Sequence, residues 1–202
     1  MILHYYDFCK FSPGEKLKIK STLSRLTMNN LLNNSVNLSS GTGQSAIALG
    51  SNLGDSPAIL TAAIDTIAKT PGIKLLAQSS WYRTKAVGPP QPDYLNGCAR
   101  LQVEMIPELL LEILLSIENK FGRTRNERWG ARTLDLDLLL YDDLILKTEK
   151  LQIPHPRMSD RAFVLVPLAE ISPDWIEPVC QRTIKELVKD VDCSDISLFS
   201  GN

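Results

Sequence analysis

Arg128-Trp129-Gly130-Ala131-Arg132-Thr133-Leu134-Asp135-Leu136-Asp137-Leu138-Leu139-Leu140-Tyr141 alternates acidic and aliphatic side chains through its middle, a pattern that reads as a β-strand. Successive strand side chains point to opposite faces, so Asp135 and Asp137 share one face and Leu134, Leu136, Leu138 and Leu140 the other. The aliphatic face anchors the strand in a core. Two like charges one strand-step apart are costly unless a cation or a proton lies between them. Mg²⁺ meets that need, because it binds one or two carboxylates and completes its shell with water and substrate phosphates. Arg128 and Arg132 supply planar guanidinium groups for phosphate, and Trp129 supplies an aromatic face. The stretch reads as a nucleoside triphosphate clamp.

Working back from this strand, residues 46–49 form a short apolar strand that stops at the turn-rich Gly50-Ser51-Asn52-Leu53-Gly54. Ser56-Pro57 caps a helix carrying Ile59, Leu60, Ala63, Ile64 and Ile67 as far as Pro71-Gly72. A second strand is predicted over 73–82, a Pro-rich loop over 83–92 and a third strand over 94–103. Pro107 opens a second helix with Leu110, Leu114, Ile117 and Phe121 on one stripe, ending at Gly122. An Arg-rich loop then leads into the acidic strand. The order is βαββαβ, which predicts an α+β protein with a ferredoxin-like core: a four-stranded antiparallel sheet with both helices on one face. A hairpin over 144–146 and 151–153 follows, and helices over 163–171 and 183–189 are expected on the other face, making three αβα layers. Residues 45–195 are expected to be the domain, 1–44 a disordered extension and 196–202 a flexible tail.

With 22 Lys and Arg against 23 Asp and Glu, the chain has no polyanion-binding signature, and nucleic acid is not an expected partner. No apolar run has membrane-spanning length. Cys9, Cys98, Cys180 and Cys193 form no metal-binding spacing, and a reducing cytoplasm is expected. Residues 1–44 carry Lys10, Lys16, Lys18, Lys20 and Arg25 against Asp7 and Glu15, and are rich in Asn and Ser. An organelle-targeting role for that segment and a start at Met28 are both compatible with this composition.

Each candidate has a plain structural reading beside the functional one. Residues 50–54 lack the Lys-Ser/Thr of a P-loop and read as a turn into a helix. Arg123, Arg125, Arg128 and Arg132, offset by Glu127, are either a solvated face or a polyphosphate contact, and their position just before the acidic pair favours the latter. His155, in the rigid Pro154-His155-Pro156-Arg157 segment, is either structural or a donor to phosphate. Tyr94, Asn96, Trp129 and Phe163 are either core residues or the stacking faces and amide that a flat heteroaromatic ring requires; Tyr94 and Asn96 share a strand face. Glu118 reads as exposed. A nucleotidyltransferase would place its Gly-Ser turn close before its acids, whereas Ser51 and Asp135 lie far apart. A ferredoxin-like binding module would not need paired Asp residues beside an Arg loop.

Residues 128–140 resemble the signature of the 6-hydroxymethyl-7,8-dihydropterin pyrophosphokinase family. Supporting blocks follow in that family's order: Ala-Leu-Gly-Ser-Asn-Leu-Gly (48–54), Ser-Trp-Tyr-Arg-Thr (80–84), Gln-Pro-Asp-Tyr-Leu-Asn (91–96), Ile-Glu-Asn-Lys-Phe-Gly-Arg (117–123) and Pro-His-Pro-Arg-Met (154–158) with Arg161 and Phe163. The resemblance implies transfer of the pyrophosphoryl group of ATP to the pterin hydroxymethyl with release of AMP, in folate biosynthesis. It implies two Mg²⁺ held by Asp135 and Asp137, and a pterin sandwiched by Tyr94 and Phe163. Asn96 and the backbones of Thr84 and Val87 would read the pterin's polar edge, with Trp129 closing over it. Arg123 and Arg132 correspond to the family's mobile-loop and transition-state arginines, and Arg125, Arg128, His155 and Arg161 to nucleotide contacts. A monomer is expected, and association with the next folate-pathway enzyme is compatible with the resemblance. Lys85-Ala86 stands where members often carry Pro, Lys150 and Gln152 where some carry Arg and Thr, and Pro156 where some carry an aromatic residue.

Overall fold

The computed structural model describes residues 42–86, 90–122 and 130–201. In chain order its elements are β1 (Gly43–Ser51), α1 (Ser56–Ala68), β2 (Ile73–Gln78), β3 (Tyr82–Thr84), β4 (Tyr94–Val103), α2 (Pro107–Lys120) and β5 (Asp135–Tyr141). They continue with β6 (Leu146–Lys147), β7 (Gln152–Ile153), α3 (Ala162–Ile171), β8 (Ile176–Glu177), β9 (Arg182–Thr183), α4 (Ile184–Leu187) and β10 (Ile196–Leu198). The central β1 is antiparallel to β4 on one side and to β5 on the other. β2 and β3 pair in succession along the outer edge of β4, and β10 pairs with β3.

The sheet is buried on both faces. Ile47, Leu49, Leu101, Val103, Leu136 and Leu138 pack against Leu60, Ile64 and Ile67 of α1 and Leu110, Leu114 and Ile117 of α2. On the opposite face Ala46, Cys98, Leu139 and Leu140 pack against Val164, Leu165 and Leu168 of α3 and Ile184 and Leu187 of α4. Each fully buried aliphatic side chain contributes about 1.5–3 kcal/mol of transfer free energy, so the two layers hold the sheet rigid between them. Among the described residues no helix is long and apolar enough to cross a membrane.

Several sequence expectations change in the structure. Leu140 lies in the second core instead of beside Leu136 and Leu138, because the pairing of β5 with β1 slips between Ala46 and Ile47. A bulge puts one extra residue on β5 and turns the side chains beyond it. The predicted strand over 73–82 divides into β2 and β3, with Ser79 and its neighbours between them. Trp81 lies over Gly97, where a Cβ would come within 2.5 Å of its ring. Ser79 bridges the break: its amide donates to Cys98 O at 2.9 Å and its hydroxyl accepts from Cys98 N at 2.9 Å. Arg83 and Thr84, expected in a loop, belong to β3. The cap of α1 is Asp55, which accepts from Ala58 N, and not Ser56. Residues 196–198, expected in a flexible tail, form β10. The last predicted helix is one α-helical turn, opened by a Thr183–Glu186 capping box and continued by a 3-10 turn over Val188–Asp190.

Candidate active site

The central strand makes the site by carrying small residues. Ala48 stands in register between Cys98 of β4 and Asp137 of β5, and Gly50 between Asn96 and Asp135. A trough with taller side chains on both banks opens into a cavity of about 460 Å³. A Cβ on Gly50 would reach 3.0 Å from Asn96 Oδ1 and 3.7 Å from the Tyr94 ring, so a larger residue would occupy ligand space.

On the β5 bank Asp135 and Asp137 share the cavity face, as strand alternation requires. Asp135 is ion-paired with Arg132. Burial lowers the affinity of the Arg132 guanidinium for its proton, but the Asp135 carboxylate outweighs it and the net shift is upward. Asp137 Oδ2 lies 3.4 Å from Arg161 Nη1 and 3.9 Å from His155 Nε2. The Arg161 guanidinium also stands 5.4 Å from the centre of the Phe163 ring. His155 is fixed at both ends: its amide donates to Leu139 O at 2.9 Å, and its Nδ1 accepts from Arg157 N at 3.2 Å. Burial pushes its pKa down, with Arg161 and Arg157 acting the same way against Asp137. With Nδ1 engaged as an acceptor, Nε2 is the nitrogen that presents a proton, on the side of the acidic bank.

Among the described residues no group of three or more His, Cys, Asp or Glu is arranged to hold a metal ion. That excludes a closed site there of the structural-zinc kind. Two half-buried carboxylates beside an open cavity remain a suitable donor set for a hard cation that keeps water and phosphate oxygens as its other ligands.

On the β4 bank Tyr94 and Asn96 face the cavity, which Phe163 of α3 also lines. The Asn96 amide donates to Thr84 Oγ1 at 2.8 Å, and both residues are more than nine-tenths buried. That bond fixes the amide orientation and turns Oδ1 toward Gly50 and the cavity. Tyr94 Oη donates to Gly130 O at 3.4 Å, and burial raises the phenol's pKa.

Two positioning residues escaped the sequence reading. Glu118 of α2, expected to be exposed, is fully buried, and its Oε1 accepts from Leu136 N at 2.8 Å. It grips the backbone between the two Asp residues. Its spacing of four after Leu114 and eight after Leu110 was the available signal, since that places it on the buried stripe. Asn52, in the turn after β1, accepts from Arg132 N at 2.8 Å through Oδ1 and donates to Gln91 Oε1 at 3.0 Å and Pro92 O at 2.9 Å through Nδ2. Its backbone N–H also donates to Arg132 O at 3.0 Å. One side chain thus ties together the segments that flank both banks. No local pattern marks it, because its partners lie 39 to 80 residues away.

Residues 46–173 match the family model described as 7,8-dihydro-6-hydroxymethylpterin-pyrophosphokinase (HPPK). The chain belongs to the HPPK family. A 2-amino-4-hydroxy-6-hydroxymethyldihydropteridine pyrophosphokinase of Synechocystis sp. is 53% identical over 150 residues, covering 74% of this chain and 77% of the relative. The enzyme of that name from Haemophilus influenzae is 49% identical over 144 residues, covering 71% and 89%. Among solved structures, wild-type Plasmodium falciparum HPPK-DHPS with STZ-DHP superposes with a TM-score of 0.61 at 15% identity, over 76% of this chain and 44% of that one. The likeness to that longer chain is one of fold, and this chain spans less than half of its length.

Of the HPPK positions expected from sequence, Thr84, Tyr94, Asn96, Arg132, Asp135, Asp137, His155, Arg161 and Phe163 all line the one cavity. Val87, Arg123, Arg125, Arg128 and Trp129 lie outside the described residues. Lys85 and Asp160 join the lining without having been assigned a role, and Arg157, which can substitute for the aromatic residue that Pro156 replaces, lines it as well. Lys150 and Gln152, on the β6–β7 hairpin, are not part of it.

Proposed function

We propose that this HPPK family member transfers the pyrophosphoryl group of ATP to the hydroxymethyl group of 6-hydroxymethyl-7,8-dihydropterin, releasing AMP, as a step of folate biosynthesis. The observation that carries the reading is that an acidic bank with cationic neighbours and an aromatic-amide bank face each other across one cavity. Phosphoryl-type displacement asks a protein mainly for alignment and neutralisation of charge. Arg132, Arg161 and the His155 Nε2 proton supply donors for phosphate oxygens. Tyr94 and Phe163 provide faces for a flat ring, while Asn96, oriented by Thr84, reads its edge and brings the hydroxymethyl toward the acidic bank.

Two Mg²⁺ held by Asp135 and Asp137 would neutralise the triphosphate and polarise the reacting phosphorus. Arg132 and Arg161 pair with those carboxylates, and with cations bound there they would be available to the phosphates. Arg123, Arg125, Arg128, Trp129 and the backbone of Val87 are assigned by family resemblance to closing the site over its substrates. The β4–β1–β5 arrangement, with β2 and β3 at the edge and α1 and α2 on one face, supports the ferredoxin-like description of the core. A cytoplasmic monomer fits this reading, and the HPPK-DHPS fusions of Plasmodium support association with an enzyme that consumes the diphosphate product.

Incubating the protein with ATP and Mg²⁺, with and without the pterin alcohol, tests the assignment. Pterin-dependent AMP is the expected product. Release of inorganic pyrophosphate would make the protein a nucleotidyltransferase instead.

A further inference from the structure

We infer that residues 195–199 form a splint that sets the pterin-reading edge of the site, so that affinity for the pterin, and not for ATP, depends on this segment. The inference rests on the function proposed above. Every residue from 81 to 85 is gripped by it. Phe199 N donates to Trp81 O at 2.8 Å, Leu198, Ser197 and Ile196 stand opposite Tyr82, Arg83 and Thr84, and Asp195 Oδ1 lies 2.8 Å from Lys85 Nζ. The Arg83 guanidinium also lies 5.6 Å from the centre of the Phe199 ring.

β3 has only three residues, and without β10 it would be an edge strand whose backbone pairs with β4 alone. Such short pairings open readily, since few hydrogen bonds oppose the entropy of release. The consequence reaches the cavity through one bond: Thr84 Oγ1 orients the Asn96 amide. If Thr84 is free to shift, that amide loses its fixed direction, and a ligand that depends on it must order it on binding. The acidic bank hangs on β5, at the opposite side of β1 and β4, and draws nothing from β10. The Lys85–Asp195 pair is well exposed and adds little by itself, so the weight falls on the backbone pairing.

Because the Phe199 amide bonds to Trp81 O, antiparallel alternation makes Ser197 and Arg83 the next mutually hydrogen-bonded pair. Ser197 is exposed, so Ser197→Pro removes its amide donor without disturbing a core, and Ser197→Thr is the control. In the full chain with Mg²⁺, Ser197→Pro should raise KM for the pterin roughly tenfold, leave the Kd of a non-hydrolysable ATP analogue within about twofold and leave Ser197→Thr like wild type. Amide hydrogen exchange of residues 82–85 should quicken in Ser197→Pro. An unchanged pterin KM, or equal weakening of pterin and ATP analogue, overturns the splint. Unchanged exchange at 82–85 overturns it independently of any activity, whereas absence of AMP formation by the wild-type protein counts against the proposed function alone.

Discussion

Asp137 faces a guanidinium, an imidazole and open cavity at once, and its role is the most exposed to test. Its side chain is 35% accessible, so Asp137→Ala leaves Arg161 in reach of water and the fold intact. Turnover should fall on the order of 10³-fold, about 4 kcal/mol of transition-state stabilisation, with Tm within a few degrees of wild type. Measured AMP release at the wild-type rate would remove Asp137 from the metal-binding role. Arg132→Ala should lower kcat more than it raises KM; a pure KM effect would make Arg132 a ground-state grip. Glu118→Ala strands the Leu136 amide in a buried setting and should cost about 1–3 kcal/mol in urea unfolding. The paired Asp residues were legible because alternation alone assigns their face. Glu118 was not, because a carboxylate is usually exposed, and its burial is tolerable through partners on other elements, the Leu136 amide among them.

At the scale of elements, α3 and the β2–β3 connection form a second brace on the β3 side of the site. Glu170 accepts from Ser80 N at 3.0 and 3.1 Å, from Ser80 Oγ at 2.9 Å and from Tyr82 Oη at 2.9 Å. Burial, and then the Glu170 carboxylate, push the Tyr82 phenol up to about 12. The folded state thus holds this proton more tightly than the unfolded chain, in which the phenol titrates near the ordinary value of about 10. The contribution to stability is complete below pH ~10 and is lost as pH rises toward ~12. Spectrophotometric titration should show a late-ionising tyrosine component that shrinks by one tyrosine in Tyr82→Phe, and that variant should lose less stability than wild type between those pH values. Both helices of the first layer, the hairpin and α3 were legible from periodicity and Pro/Gly punctuation. The division of β2 from β3 was not, because it depends on Trp81 finding room over Gly97 in a neighbouring strand.

At the scale of the molecule, the family match begins at Ala46 and the sheet at Gly43, and the described residues all belong to one compact unit. A chain of residues 42–202 should therefore keep kcat/KM within about twofold and unfold cooperatively at nearly the same temperature. A large loss in either would assign residues 1–41 a part in the fold or the chemistry. The amino-acid sequence by itself determined the βαββαβ succession of the core, the shared face of Asp135 and Asp137 and the family. Those properties are written in short windows through side-chain alternation, helical period and contiguous motif blocks. Only the tertiary structure decided that Asn52 joins the two banks, that Glu118 holds β5 from behind and that residues 196–198 add a strand beside β3. Each rests on hydrogen bonds between segments distant along the chain, and a backbone amide or carbonyl is the same at every position until folding chooses its partner.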